Sequence, residues 1–262
     1  MSEKEIKPSI RSVVNAFSAL EFIVERTLEN EGASLNEIAE HLTMQKSTAG
    51  NLMQTMAHCG YVDRKGHGFY ALGEKCRTLI MAAESSRRMR DLSVPCLSDF
   101  SRRNAIGIYL SIFFNGKRYI SLSVNSRGIP GESRSADDTP ENVYRRAAAR
   151  LLLAYSSTEG KLGFLARYGT PSAEAWPEGA ADLEQALREI RAEKMAINEH
   201  NSVSGLTGVA AGVFNSSGKL CAALSLSLPN SRWQGNLKEK ILAELSKVSE
   251  ELTLLFSAEQ LM

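Results

Sequence analysis

The sequence predicts an α+β chain of two folded parts joined by a helix, on three observations. Apolar residues recur at helical spacing three times within the first 60 residues and then give way to a short hairpin pattern. An arginine-rich stretch with few apolar positions follows at 74–95. Beyond it the apolar period switches between 2 and 3.6, as in an antiparallel sheet with helices packed on it. The expected division is a first domain over 1–73, a linker helix over 74–95 and a second domain over 96–262. At roughly 150 residues per domain, 262 residues suffice for this without metal or disulfide support.

The first helix is written by Val13, Phe17, Leu20, Val24 and Leu28, with Glu21, Glu25 and Arg26 on its outer face. Asn30 to Ala33 breaks it, and Ser34 and Glu37 then have the spacing of a capping box, in which each side chain takes up the other's backbone amide. A short second helix places Leu35, Ile38, Ala39 and Leu42 inward. A third carries Ala49, Leu52, Met53 and Met56 on its apolar stripe and stops at Gly60. Opposite that stripe lie Ser47, Gly50, Asn51, Gln54 and His58, with Lys46 at the start and no acidic residue. Tyr61 to Asp63, a basic turn from Arg64 and Lys65 to Gly68, and Phe69 to Leu72 read as a hairpin with a basic tip. Three helices and a hairpin in this order predict a winged helix-turn-helix.

Charge alone does not choose the partner of this module. The whole chain has Lys+Arg 31 against Asp+Glu 30, and residues 1–72 hold 7 basic against 9 acidic side chains. A protein-interaction module has the same outline. Segregation favours double-stranded DNA: the acids gather in the first two helices, leaving Lys46, Arg64 and Lys65 nearly unopposed beside small polar groups that can meet phosphates and base edges. No stretch approaches the roughly 20 apolar residues of a membrane span, and the charged start MSEKEIKPSI lacks the apolar run of a signal peptide. A cytoplasmic protein without membrane contact is expected. The four cysteines and four histidines show no ligand spacing, so no metal or cofactor is expected, and the thiols are expected to be reduced and mostly buried.

The segments SVVNAFSALEFI, SLNEIAEHLTMQKSTAGNLMQTMAHCGYVDR and GFYALG together resemble the N-terminal domain of the IclR family of bacterial transcriptional regulators. The resemblance implies that Gln45, Lys46, Ser47 and Thr48 open the recognition helix, that Asn51 takes a DNA-contacting position normally held by arginine, and that Arg11 brings a basic group near the backbone. Ala49-Gly50-Asn51 replaces bulkier residues, which implies a different operator sequence.

After the arginine-rich segment, whose helix is expected to end at Ser93-Val94-Pro95, Ile106 to Phe114 and Lys117 to Val124 alternate around Asn115-Gly116 as a hairpin. A second hairpin runs from Gly208 to Phe214 and from Lys219 to Leu228. Helical stretches lie near 143–156, 158–167 and 179–195, and from Leu237 to Phe256. Strand alternation puts Leu220, Ala222, Leu224, Leu226 and Leu228 on one face and Cys221, Ala223, Ser225 and Ser227 on the other. The second face either lies under tight packing or lines a small cavity in which Ser225 and Ser227 bond a ligand. No nucleophile elbow, zinc-protease motif or P-loop is present, so no catalytic residue and no enzymatic activity are expected.

The resemblance extends over most of 75–258 and implies a GAF-like effector-binding and oligomerisation domain. The family's helix signature appears as Tyr144 to Ala154, and its carboxylate-binding amides fall on Ala147 and Ala148, which suits the positive end of a helix. The other ligand-facing positions fall on Asn198, Gly208, Ser225 and Ser227. Relatives often have an acid at the first of these and a cysteine at the second. The departures imply a roomier, less acidic pocket, with Arg145, Arg146 or Arg150 either aiding an anion or serving as helix-surface charges. The expectation is a homodimeric or homotetrameric DNA-binding regulator, reading a pseudo-palindrome and controlled by a small effector, an organic acid. The alternative is a constitutive regulator with a vestigial pocket. A more distant rival is an enzyme or interaction module that has borrowed the helix-turn-helix.

Overall fold

The computed structural model of the chain describes residues 10–29, 32–114, 116–201 and 205–259. It divides into two compact units, Met1–Glu84 and Ser85–Met262.

The first unit contains α1 (Arg11–Glu29), β1 (Ala33–Ser34), α2 (Leu35–His41), α3 (Lys46–His58), β2 (Val62–Lys65) and β3 (Phe69–Leu72). The strands pair antiparallel in the order β1-β3-β2. Ile23, Ile38, Met53, Val62 and Tyr70 form the core, with Ala19 and Ala33 completing it. The α1 stripe differs from expectation: Phe17 is 62% exposed and Val13 and Val24 are also exposed, while Ala16, Ala19, Leu20 and Ile23 face inward. Small alanines let α2, α3 and β3 approach closely, and periodicity alone does not separate that face from a neighbouring apolar one. Asn30 and Glu31, and the side chain of Leu28, lie outside the described residues.

The capping box forms as spaced, with the Ser34 amide donating to Glu37 Oε2 at 2.8 Å and the Glu37 amide to Ser34 Oγ at 3.3 Å. Gly60, at φ 78°, supplies the left-handed residue that stops α3. Arg64 and Lys65 belong to strand β2 rather than to the turn, which is a 3-10 turn over Gly66–Gly68.

Helix α4 runs unbroken from Glu74–Asn104, past the stop expected at Pro95, and the boundary between the units falls within it. Proline removes one helical hydrogen bond. Leu97 and Phe100, both fully buried beyond it, hold the helix on the sheet of the second unit and outweigh that local penalty.

The second unit continues with β4 (Ile108–Phe114), β5 (Lys117–Val124), β6 (Pro130–Gly131), β7 (Arg134–Ser135), α5 (Ala147–Ala154), α6 (Thr158–Tyr168), α7 (Pro177–Ala181), α8 (Leu183–Glu193), β8 (Met195–Asn201), β9 (Leu206–Phe214), β10 (Leu220–Pro229) and α9 (Gly235–Ala258). The sheet is antiparallel in the order β6-β5-β4-β10-β9-β8, with β7 also on β5. Residues of α4 and α9 pack on one face against Ile108, Leu122, Leu224 and Leu226. Helices α5 to α8 pack on the other against Ala196, Ala210 and Ala223. Asn115 of the expected hairpin turn lies outside the described residues. The single helix expected over 179–195 is split, because Asp182 accepts from the Gln185 amide at 2.9 Å and caps α8.

Two bulges change which residues share a face. Leu220 pairs with Phe214 and Ala222 with Val213, so Cys221 is the extra residue. Leu220 therefore packs with the α5 face, and Cys221 joins the α4–α9 core, reversing their expected sides. On β5, Leu122 pairs with Leu110 but Ile120 with Ser111, so Ser121 is the extra residue. Arg118 and Ile120 thereby turn away from the core that Leu122 and Val124 enter.

All four cysteines are free thiols, but only Cys221 is buried, Cys59 is exposed, and Cys76 and Cys96 are intermediate. Burial pushes the thiols of Cys96 and Cys221 up to about 11. Among the described residues no helix is long and apolar enough to cross a membrane.

Candidate nucleic-acid interface and effector cavity

In the first unit, α3 buries Ala49, Met53 and Met56 and turns its other side outward. Lys46, Ser47, Thr48 and Asn51 are all exposed on it, and Gln45, also exposed, caps it without using its side chain. The helix starts with no acidic residue, so its unpaired amides and positive end are unopposed. Arg64 and Lys65 are exposed at the end of β2. Asp63, their neighbour, is held by Arg77 at 3.1 Å, which keeps a carboxylate from neutralising the strand's basic pair. Arg11 is exposed at the first position of α1, on an element separate from the α3 face.

In the second unit, the α5 face of the sheet holds a cavity of about 510 Å³. Ala147, Ala148, Gly208, Ser225 and Ser227 all line it. A Cβ built on Gly208 would lie 3.7 Å from Ala147 Cβ, 3.8 Å from Ala147 N and 3.9 Å from Ser227 Oγ, so these groups surround one small space. The first helical bonds of α5 come from Ala149 and Arg150, both to the Arg146 carbonyl. The Ala147 and Ala148 amides precede them and have no partner within the helix.

Asn198 is not among the lining residues. Its Nδ2 donates to the Arg145 carbonyl at 2.6 Å, and its Oδ1 accepts from Arg150 at 3.2 Å. Arg150 points inward as well: it is 4% exposed, donates to the carbonyls of Tyr144, Ala175 and Ile197, and lies 4.8 Å over the Trp176 ring. Burial pushes its guanidinium down to about 10, which leaves it protonated at neutral pH. This pair fixes the backbone at 144–146 and so aims the amides that follow. Arg150 is thus neither an anion ligand nor a surface charge, and no periodicity marks it, since its stacking on Trp176 links distant segments.

Sequence reasoning missed Arg118 and Arg134, which line the cavity together with Arg145 and Arg146. No Asp or Glu lines it among the described residues. Arg118, 5% exposed, grips Asp138 through Nε at 2.9 Å and through a second nitrogen at 2.6 Å, and it also donates to Ser111 Oγ. Arg146 Nε approaches the same carboxylate at 3.3 Å. Arg145 is occupied by Glu174 at 2.6 Å, and Arg134 by the exposed Asp137 at 3.0 Å. Strict alternation would place Arg118 in the core with Leu122, so only the bulge at Ser121 accounts for its side.

Comparison with known proteins agrees with both halves. The sequence matches the family described as "Bacterial transcriptional regulator IclR C-terminal" over residues 83–254 and "IclR helix-turn-helix domain" over residues 12–66. It is 27% identical to the HTH-type transcriptional regulator XynR of Escherichia coli over 252 residues, 94% of each chain. An IclR-family regulator from Rhodococcus sp. has a similar fold, with a TM-score of 0.53 at 18% identity over 97% of both chains. An IclR homologue from Microbacterium hydrocarbonoxydans, solved in complex with 4-hydroxybenzoate, gives a TM-score of 0.52 at 19% identity, covering 93% of this chain and 98% of that one. The family match spans more than half of the residues, and the chain belongs to the IclR family of transcriptional regulators, with a helix-turn-helix DNA-binding domain and a C-terminal effector-binding domain.

Proposed function

We propose that this protein is a homo-oligomeric DNA-binding regulator whose operator affinity is set by an organic acid held at the α5 end of the second unit. The observation that carries the reading is the cavity itself: two helix-terminal amides, the open space at Gly208, two serine hydroxyls and arginines, without a lining carboxylate among the described residues. Amides at a helix N-terminus are donors whatever their side chains, so alanines at 147 and 148 serve as well as polar residues. Ser225 and Ser227 donate to the same carboxylate. Asn198 acts one step back, holding the chain that presents the amides. The relative solved with 4-hydroxybenzoate, an aromatic carboxylate, supports an organic acid as the ligand class.

In the first unit, Lys46, Arg64, Lys65 and Arg11 meet phosphates, while Gln45, Ser47, Thr48 and Asn51 approach base edges. Two copies would read half-sites about one helical turn apart, roughly 34 Å. A thermal-shift series of aliphatic and aromatic acids tests the ligand side. Stabilisation by acids, and its loss in Gly208→Leu, is expected, because the leucine fills the space before Ala147 N. Stabilisation by neutral ligands only, or an unchanged response in the variant, would overturn the carboxylate assignment.

A further inference from the structure

The arginines of the cavity exceed what one carboxylate at α5 needs, and their partners are unevenly shared. Asp138, 1% exposed, faces both Arg118 and Arg146, so one carboxylate answers two guanidinium groups. Arg118 spends its donors on Asp138 and Ser111. Arg146 is different. Its side chain is 48% exposed, meets Asp138 through Nε at 3.3 Å, and lines the cavity. Arg134 stands at the rim in an exposed pair with Asp137, a type of contact that contributes little.

These groups do not sit where the first carboxylate would. Gly208 pairs with Ser227, whereas Ser111, the partner of Arg118, pairs with Ala223, which pairs with Gly212. Ser111 is thus two strands across and four residues along from Gly208, roughly 16 Å by ideal sheet spacings. Arg146 leaves the chain beside Ala147 and carries its charge toward Asp138, so the surplus cation lies about one arginine length from the α5 amides. A net positive charge in a partly enclosed wall is costly to leave unanswered, and a planar fork matches a carboxylate or phosphate in two parallel bonds.

We infer that the cavity takes a dianionic acid: one carboxylate on the Ala147 and Ala148 amides, and a second anionic group, carboxylate or phosphate, on the Arg146 fork with Arg134 at the rim. This rests on the proposed function and names the ligand class for the same site. A monoacid would fill the α5 end and leave the second pole to water.

Isothermal titration of the full chain with matched acids tests it: a monocarboxylate, the dicarboxylate of the same length, and the phosphorylated monoacid, with the dicarboxylates extended in steps. The expected result is a dianion at least tenfold tighter than its monoacid, an optimum chain length, and a ratio that falls toward one in Arg146→Gln. Arg134→Gln, at the exposed rim, should lower the same ratio by less, and it keeps the test open if the first variant folds poorly. Tighter binding of the phosphorylated acid than of any dicarboxylate upholds the dianion and identifies its second group as phosphate. Equal affinity for monoacid and dianion, or an equal loss for both in Arg146→Gln, would overturn the second pole while leaving the carboxylate site standing. Binding of neither class, with Gly208→Leu indistinguishable from the parent, would remove the proposed function and this inference with it.

Discussion

In the proposed function the outer face of α3 and the N-terminus of α5 both meet a partner, but they are built in opposite ways. On α3 the proposed site is made of side chains: Lys46, Ser47, Thr48 and Asn51 are exposed, and the buried Ala49, Met53 and Met56 only hold the helix in place. On α5 every residue is buried, and what is offered is backbone. The amides of Ala147 and Ala148 are aimed by groups that never touch the cavity, chiefly Arg150 and Asn198. Substitutions on the first surface should therefore change what is recognised, and substitutions behind the second should change whether the site exists.

The largest test of this contrast is Arg150→Met. It removes one donor from each of three backbone carbonyls and from Asn198 Oδ1 and strips Trp176 of its cation, which should cost about 3 to 5 kcal/mol. Chemical denaturation should show the loss, and acid binding should vanish with it. A fully stable variant that still binds acid would show that Arg150 does not shape the site.

On α3 the expected effects are smaller and more specific. Asn51→Ala should shift preference between operator variants by about 1 to 3 kcal/mol, whereas Lys46→Ala should weaken all sequences alike and reduce the salt slope by about 1. Anisotropy titrations on a small operator panel at several salt concentrations distinguish the two. A uniform loss for both would break the division between base-reading and phosphate-reading groups.

Gly50 lies on the same helix, α3. A Cβ there would meet only Leu35 Cδ2, at 3.8 Å, so no close approach requires glycine. Gly50→Ala should stabilise the first unit by up to about 1 kcal/mol, read as a rise in its melting temperature.

The smallest effect belongs to Glu37. Its hydrogen bonds with Ser34, and then the Arg26 guanidinium at 2.8 Å, hold its carboxyl below the ordinary value of 4.5. A lowered carboxylate contributes stability that is present at neutral pH and is lost as pH falls through the folded-state value. Glu37→Gln should flatten the acid side of a helicity-against-pH curve only slightly, because the group is a third exposed.

The same contrast explains how much the sequence revealed. The exposed polar face of α3 was legible because residue types on a regular helix are visible in the order of residues. The capping box of Ser34 and Glu37 and the main hairpins were legible for the same local reason. The α5 cavity was legible only in part: resemblance pointed to Ala147, Ala148, Gly208, Ser225 and Ser227, which do line one cavity. It also pointed to Asn198, which instead braces the Arg145 carbonyl from strand β8. That strand went unseen because its Ile197, Asn198 and Glu199 show no clean alternation. Arg118 was hidden by the bulge at Ser121, and Leu220 and Cys221 were exchanged by the bulge at Cys221, since one extra residue inverts every facing beyond it. The continuation of α4 through Pro95 depends on Leu97 and Phe100 finding the sheet, a long-range term that local propensity does not contain.

If the acid site governs DNA binding, filling it must change the affinity for the operator, which a single titration reads. Operator DNA from upstream of the protein's own gene is bound at about 150 mM salt, where phosphate attraction alone is suppressed, with and without a saturating acid that stabilises the chain. A coupling of the usual 1 to 3 kcal/mol predicts a change in operator affinity of roughly 5- to 150-fold in the parent protein, and none in Gly208→Leu. Sequence-selective binding whose affinity is the same with and without the bound acid would show that the acid does not govern DNA binding.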